Sequence, residues 1–190
     1  MKKVSMLTIA LLSIAAAGFA QDWTWDKVHS QLNFGITHNT INELDGSFGT
    51  VEAKMTASKE DLSDARITLT ADVNSINTGN EARNNELKGD AFFNAAQYGT
   101  LSFTSTSFEK IDGKNYRLSG TLTLHGITKP VVLNVIFNGT IVNQMNKKTT
   151  AGFKVTGTIK RTDFGIAPDF PVNVVSDEVM LSANAEFVKS

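Results

Sequence analysis

Two of the three histidines of this 190-residue chain, His29 and His38, fall within the stretch WTWDKVHSQLNFGITH, residues 23 to 38; the third is His125. A zinc site built from them would need three imidazoles converging on one point with an ordered outer shell. The spacing argues against convergence. If residues 28 to 38 form a strand, Val28, Ser30, Leu32, Phe34, Ile36 and His38 share one face and His29 lies on the other. His125 follows Leu122 and Leu124 at the end of another alternating segment and starts outward or in the turn. His29 and His125 therefore read as hydrogen-bonding positions at strand ends, and no metal is expected. His38 continues an apolar face to its end, where an imidazole can bond a ligand head group or a loop carbonyl.

Other reactive groupings are sparse. The chain contains no nucleophile elbow, phosphate-cradling glycine loop or zinc-binding helix motif, and no cysteine. RTDFGI, 161 to 166, sets Arg161 and Asp163 two apart, as expected of a salt bridge or turn clamp. A catalytic reading would need an acid or imidazole perturbed beside a bound ligand, and Glu86 with His38 is the pair that could supply it. No catalytic residue is assigned.

The elements that position these residues are strands. Period-two alternation recurs over roughly 28–38, 47–57, 65–73, 100–108, 115–125, 130–139, 150–162 and 178–188. Short turn sequences separate most of them. The exception is 74–99, where Thr78 and Glu81 resemble a capping box, Gly89 can end a short helix, and Asp90 can cap a second turn. Eight one-faced strands with little helix to cover them are best accommodated by closure. The expected fold is all-β, an eight-stranded antiparallel lipocalin-like barrel with a short helical insertion between strands three and four. An outer-membrane barrel fits less well: its aromatic girdles are missing, the two Trp lying near residue 24 and the twelve Phe being mixed through the apolar faces.

Residues 1–20 carry Lys2 and Lys3, then an apolar run, then small residues, the pattern of a cleaved signal peptide. That leaves 21–190 as one domain and places it outside the cytoplasm. A net charge of −1 without basic clusters excludes the usual footprint of a nucleic-acid binder. A barrel lined by Leu, Ile, Val, Met and Phe offers little to a polar substrate and suits an elongated apolar guest, each buried methylene contributing ~0.8 kcal/mol.

WTWDKVHSQLNFGITH, FFNAAQYGTLSFTSTSF, YRLSGTLTLHGITKPV and RTDFGI, in that order, resemble the YceI-like proteins. The resemblance implies an exported, periplasmic, lipocalin-like barrel enclosing a polyisoprenoid such as an isoprenoid quinone or its precursor, without catalysis or a further cofactor. It matches His29, Ser30, His38, Gly126, Thr128, Arg161, Asp163, Phe164 and Gly165 to family positions. It departs at Glu86, where members often carry His, and at Gly99, where Pro commonly follows the Tyr. The residues expected to contact the ligand are Leu32, Phe34, Ile36, His38, Phe48, Met55, Leu69, Arg83, Glu86, Leu87, Phe92, Phe93, Phe103, Leu124, Val135, Phe153 and Phe164, with His38, Arg83 and Glu86 at the polar end. Transient membrane contact for lipid exchange would follow, and the oligomeric state, a homodimer included, is left open.

Overall fold

The computed structural model describes residues 20–190. The leader expected over 1–20 lies, apart from Ala20, outside them. The strands are β1 (Gln21–Trp25), β2 (Gln31–His38), β3 (Asn42–Phe48), β4 (Val51–Ala57), β5 (Arg66–Asp72), β6 (Ile76–Asn77), β7 (Thr100–Asp112), β8 (Asn115–Leu124), β9 (Ile127–Val142), β10 (Thr149–Lys160) and β11 (Val175–Lys189), with one helix, α1 (Glu81–Lys88).

Three pairs of these are single strands interrupted. β1 and β2 both pair with β11, β4 with β1, β3 with β2, and β6 with β3, so β1–β2, β3–β4 and β5–β6 each run the height of the sheet. Counted this way the architecture is an eight-stranded antiparallel meander, closed where the first strand meets the last through Trp23↔Lys189, Trp25↔Phe187 and Leu32↔Ala183. The all-β barrel and the position of its helical insertion are as the alternation predicts.

The first interruption corrects the expectation of one strand over 28–38. Asp26 Oδ1 accepts from the backbone N–H groups of Val28 and His29, turning the chain outward, and Val28 is consequently 83% exposed rather than on the apolar face. Ser30 restores the ladder: its hydroxyl accepts from the Glu186 N–H at 2.8 Å. A short polar turn satisfied by its own side chains can occupy positions whose periodicity alone reads as strand, so the strand begins at Gln31 and not at Val28.

The insertion also differs in detail. Asn80, not Thr78, caps α1, its side chain accepting from the Arg83 N–H. Thr78 instead donates its hydroxyl to Asn84 Oδ1 and accepts from Arg83 Nε. Residues after Gly89 fold back in turns, as expected at Asp90, with Phe93 N–H bonded to the Leu87 carbonyl.

The two ends of the barrel are filled differently. At the end holding the 57–66, 112–115 and 142–149 connections, aromatic rings pack in succession: Trp25 on Phe187, Phe187 on Phe153, Phe153 on Phe137, Phe137 on Tyr116 and Tyr116 stacked on Phe108 at 4.8 Å. The Tyr116 hydroxyl donates to the Asp61 carbonyl, and burial raises its pKa above the usual phenol value. Replacing Phe153, which sits mid-chain in this plug, by Ala should cost about 3–5 kcal/mol of stability; urea unfolding followed by tryptophan fluorescence reads the loss, and a change under about 1 kcal/mol would show that the plug does not hold this end.

Candidate ligand-binding site

Above the plug the barrel is hollow. A cavity of about 570 Å³ runs to the α1 end, within the ~300–1,000 Å³ typical of ligand pockets. Its floor includes Trp25, Phe187 and Ala185, and its walls come from inward positions of every full-height strand, among them Leu32, Ile67, Leu69, Leu101, Leu118, Leu122, Val131, Leu133, Val155 and Leu181. Polar side chains collect at the top: His38 at the end of β2, with Thr78, Arg83 and Glu86 from the insertion.

Thirteen of the seventeen residues expected to contact a ligand line this space: Leu32, Phe34, Ile36, His38, Phe48, Leu69, Arg83, Glu86, Leu87, Phe92, Phe93, Phe103 and Leu124. Met55, Val135, Phe153 and Phe164 do not, and all four are nearly inaccessible. Met55, Val135 and Phe153 have the right parity at the wrong depth, since they lie toward the plugged end. Phe164 follows β10 in a tight 3-10 turn, Thr162–Phe164, and is buried away from the cavity lining. Alternation assigns a residue to a face and says nothing of its height on the strand.

The mouth is aromatic. Phe34, Phe48 and Phe93 form a continuous row with ring centroids 5.6 and 6.3 Å apart. Phe34 can lie flat against the wall because its partner across β3 is Gly46, where a Cβ would overlap the ring. Phe92 reaches Phe170 at 5.7 Å, joining the insertion to the loop between β10 and β11. Arg83 is fixed in place by Nε and Nη2 bonds to the hydroxyl and carbonyl of Thr78, both 2.8 Å.

Arg161 went unrecognised as a cavity residue. The sequence places it opposite Asp163, but Asp163 faces Lys129 at 3.7 Å, and Arg161 is buried with a guanidinium that donates to five carbonyls. Nε bonds Ser176; Nη1 bonds Ile166 and Ala167; Nη2 bonds Phe170 and Val175. This uses the full donor set of an Arg and ties the whole 166–176 segment around one cation. It is the turn clamp that the RTDFGI pattern suggests, made with backbone rather than with Asp163. Phe170, Val174 and Val175, all carried by this segment, were also missed; an irregular loop has no period to read.

The remaining histidines have structural partners. His125 Nδ1 lies 3.0 Å from the Phe164 carbonyl and its ring packs edge-on against Tyr98. His29 Nδ1 lies 3.0 Å from Asp26 Oδ2. Asp26, His29 and Glu186 offer ligand atoms within 4.8 Å of one another, a grouping able to approach a cation, but Asp26 already receives two backbone N–H groups and the imidazole. The hydrogen bond to Asp26 raises the His29 pKa, and the same bond leads in lowering that of Asp26.

A YceI-like domain profile matches residues 23–187. The chain belongs to the YceI-like family. This YceI-like chain is 36% identical to a UPF0312 protein of Staphylococcus aureus strain N315 over 169 residues, covering 89% of this chain and 95% of that one. It is 32% identical to a UPF0312 protein of Pectobacterium carotovorum over 188 residues, 98% and 96% of the two chains. Among solved structures, the YCEI protein of Campylobacter jejuni is 30% identical with a TM-score of 0.74, covering 79% of this chain and 87% of that one. Burkholderia cenocepacia BcnA shares the fold at a TM-score of 0.76 and 22% identity, over 85% and 98%. A polyisoprenoid binding domain from Saccharophagus degradans, implicated in plant cell wall breakdown, shares it at 0.62 and 21%, over 88% and 98%.

Two measurements check the site's framework. Arg161→Met should lower stability by about 3 kcal/mol, because five carbonyls lose a buried cationic donor, and should raise amide exchange selectively in 166–176; unchanged exchange there would refute the clamp. In NMR titration His29 should retain its proton to a higher pH than an ordinary histidine, and Asp26→Asn should bring it back; the stabilisation from this pair is present below the unfolded His pKa and fades as pH rises through the folded one.

Proposed function

We propose that this protein is a non-catalytic binding or carrier protein for a polyisoprenoid lipid, an isoprenoid quinone or its precursor, working in the periplasm. The observation that carries the proposal is the cavity: a closed-bottomed space with mostly apolar walls, Asn33, Asp45 and Ser182 being the polar exceptions along the strands, and with His38, Thr78, Arg83 and Glu86 gathered at its mouth. A guest with that distribution is a long hydrocarbon with one polar end. The tail extends toward the Trp25–Phe187 floor, and the head group meets His38, Arg83 and Glu86. At ~0.8 kcal/mol per buried methylene, several isoprene units supply ample affinity without any reaction. The likeness in fold to the Saccharophagus degradans polyisoprenoid binding domain supports the same ligand class. The signal-like leader supports the compartment.

The binding reading uses the polar residues at the mouth as contacts for a head group and asks no reaction of them. Substituting His38 or Glu86 by Ala should change affinity and yield no altered lipid.

Native mass spectrometry of the mature protein purified without detergent from its own host, followed by organic extraction, should find a polyisoprenoid bound one to one. Ala183→Phe, which places a ring inside the cavity wall beside Val155 and Leu32, should reduce that occupancy at least ~tenfold through lost volume. A reproducibly empty protein that also fails to take up isoprenoid quinones would overturn the proposal.

A further inference from the structure

A lipid too apolar to cross water must enter and leave the barrel where its mouth can touch a membrane, and the mouth bears an exposed apolar tip that the fold does not need. Ile41 is 86% exposed at the tip of the β2–β3 turn, and Val172 is 62% exposed at the crest of the 166–176 loop. These two loops are joined: the Asn39 N–H donates to the Val174 carbonyl at 2.9 Å. Val174 and Phe170 in turn line the cavity, so the apolar surface continues from solvent over the rim into the pocket.

The turn geometry sets the tip out. Asn39 and Thr40 both sit in the left-handed region, φ 50° and 59°, the pair of conformations that closes a tight hairpin. The result is to hold an Ile in open water, where it contributes nothing to the core.

Resting on the carrier reading, we propose that Ile41 and Val172, with Phe170 behind them, form a membrane-docking tip that inserts into the bilayer surface and sets the cavity mouth against the lipid phase. Asp169 beside Phe170 and Glu43 just past Ile41 give the tip no cationic character. Docking is therefore by apolar insertion into a zwitterionic surface, insensitive to salt, rather than by attraction to anionic lipid.

A second exposed apolar patch provides the control. Ile141, Val142 and Met145 protrude at the plugged end, next to Lys147 and Lys148, where a membrane contact would hold the mouth away from the bilayer. Two double variants follow: Ile41→Ser with Val172→Ser, and Ile141→Ser with Met145→Ser. All four positions are exposed and none lines the cavity.

Each protein is sedimented with phosphatidylcholine vesicles, with and without phosphatidylglycerol, at low and high salt. Separately, its affinity for an isoprenoid quinone in detergent solution and the rate of quinone transfer between vesicles are measured. The mouth variant is expected to lose vesicle association and transfer by ~tenfold or more while binding quinone in detergent as the parent does; the far-end variant should match the parent in all three. Docking is overturned if the parent does not sediment with vesicles, if the far-end variant loses association instead, if association requires anionic lipid and vanishes with salt, or if the mouth residues prove to mediate self-association by analytical ultracentrifugation. Failure of the carrier reading is a different result, the parent taking up no quinone in detergent, and vesicle sedimentation still judges the docking tip in that case.

Discussion

The pairing of the first strand with the last is the interaction on which the rest of this structure depends. β11 meets β1 and β2 along most of its length, and through that seam the sheet loses both free edges at once. An open sheet with the same alternation would expose one apolar face. Closure converts that face into an interior, and because the inward positions are mostly Leu, Ile, Val and Phe, that interior is largely apolar. The only remaining question is whether side chains fill it.

They fill one end and not the other. Six aromatic side chains, from Trp25 to Phe108, close the lower barrel, while the Leu, Ile, Val and Phe side chains that wall the upper part leave about 570 Å³ between them. Interiors of folded proteins ordinarily pack densely, so an apolar cavity of about 570 Å³ sets the upper barrel apart from its plugged end. The polar groups at the top are held rather than free to collapse inward: Arg83 by Thr78, the 166–176 loop by Arg161. The arrangement suits the proposed guest, a molecule whose length is apolar and whose end is not.

Much of this was legible in the sequence. Alternation over Ile67–Val73 or Val179–Phe187 fixes which residues face inward, and eight such segments with one insertion imply the closed barrel. What periodicity lacks is a height coordinate. Phe103 and Phe153 read alike, yet Phe103 lines the cavity and Phe153 belongs to the plug. The expected first strand begins at residue 28, so the strand Gln21–Trp25 that precedes the side-chain-made turn at Asp26 is not read, and neither is Trp25 in the cavity floor. Arg161 is the turn clamp the pattern suggests, but its partners are not legible, for a related reason. A charge two residues from an opposite charge suggests a pair, whereas its actual partners are carbonyls five to fifteen residues away, whose positions depend on a loop without a pattern.

The account stands or falls on whether a long apolar chain occupies the upper barrel and stops at the aromatic floor. Methyl-labelled protein titrated with an isoprenoid quinone and followed by NMR tests this most directly. The account predicts saturable shifts and ligand contacts at Leu69, Leu122, Leu133 and Val155, with Met55 and Val135 below the floor unmoved. Shifts confined to surface methyls such as Val132 and Ile136, or none that saturate, would contradict it.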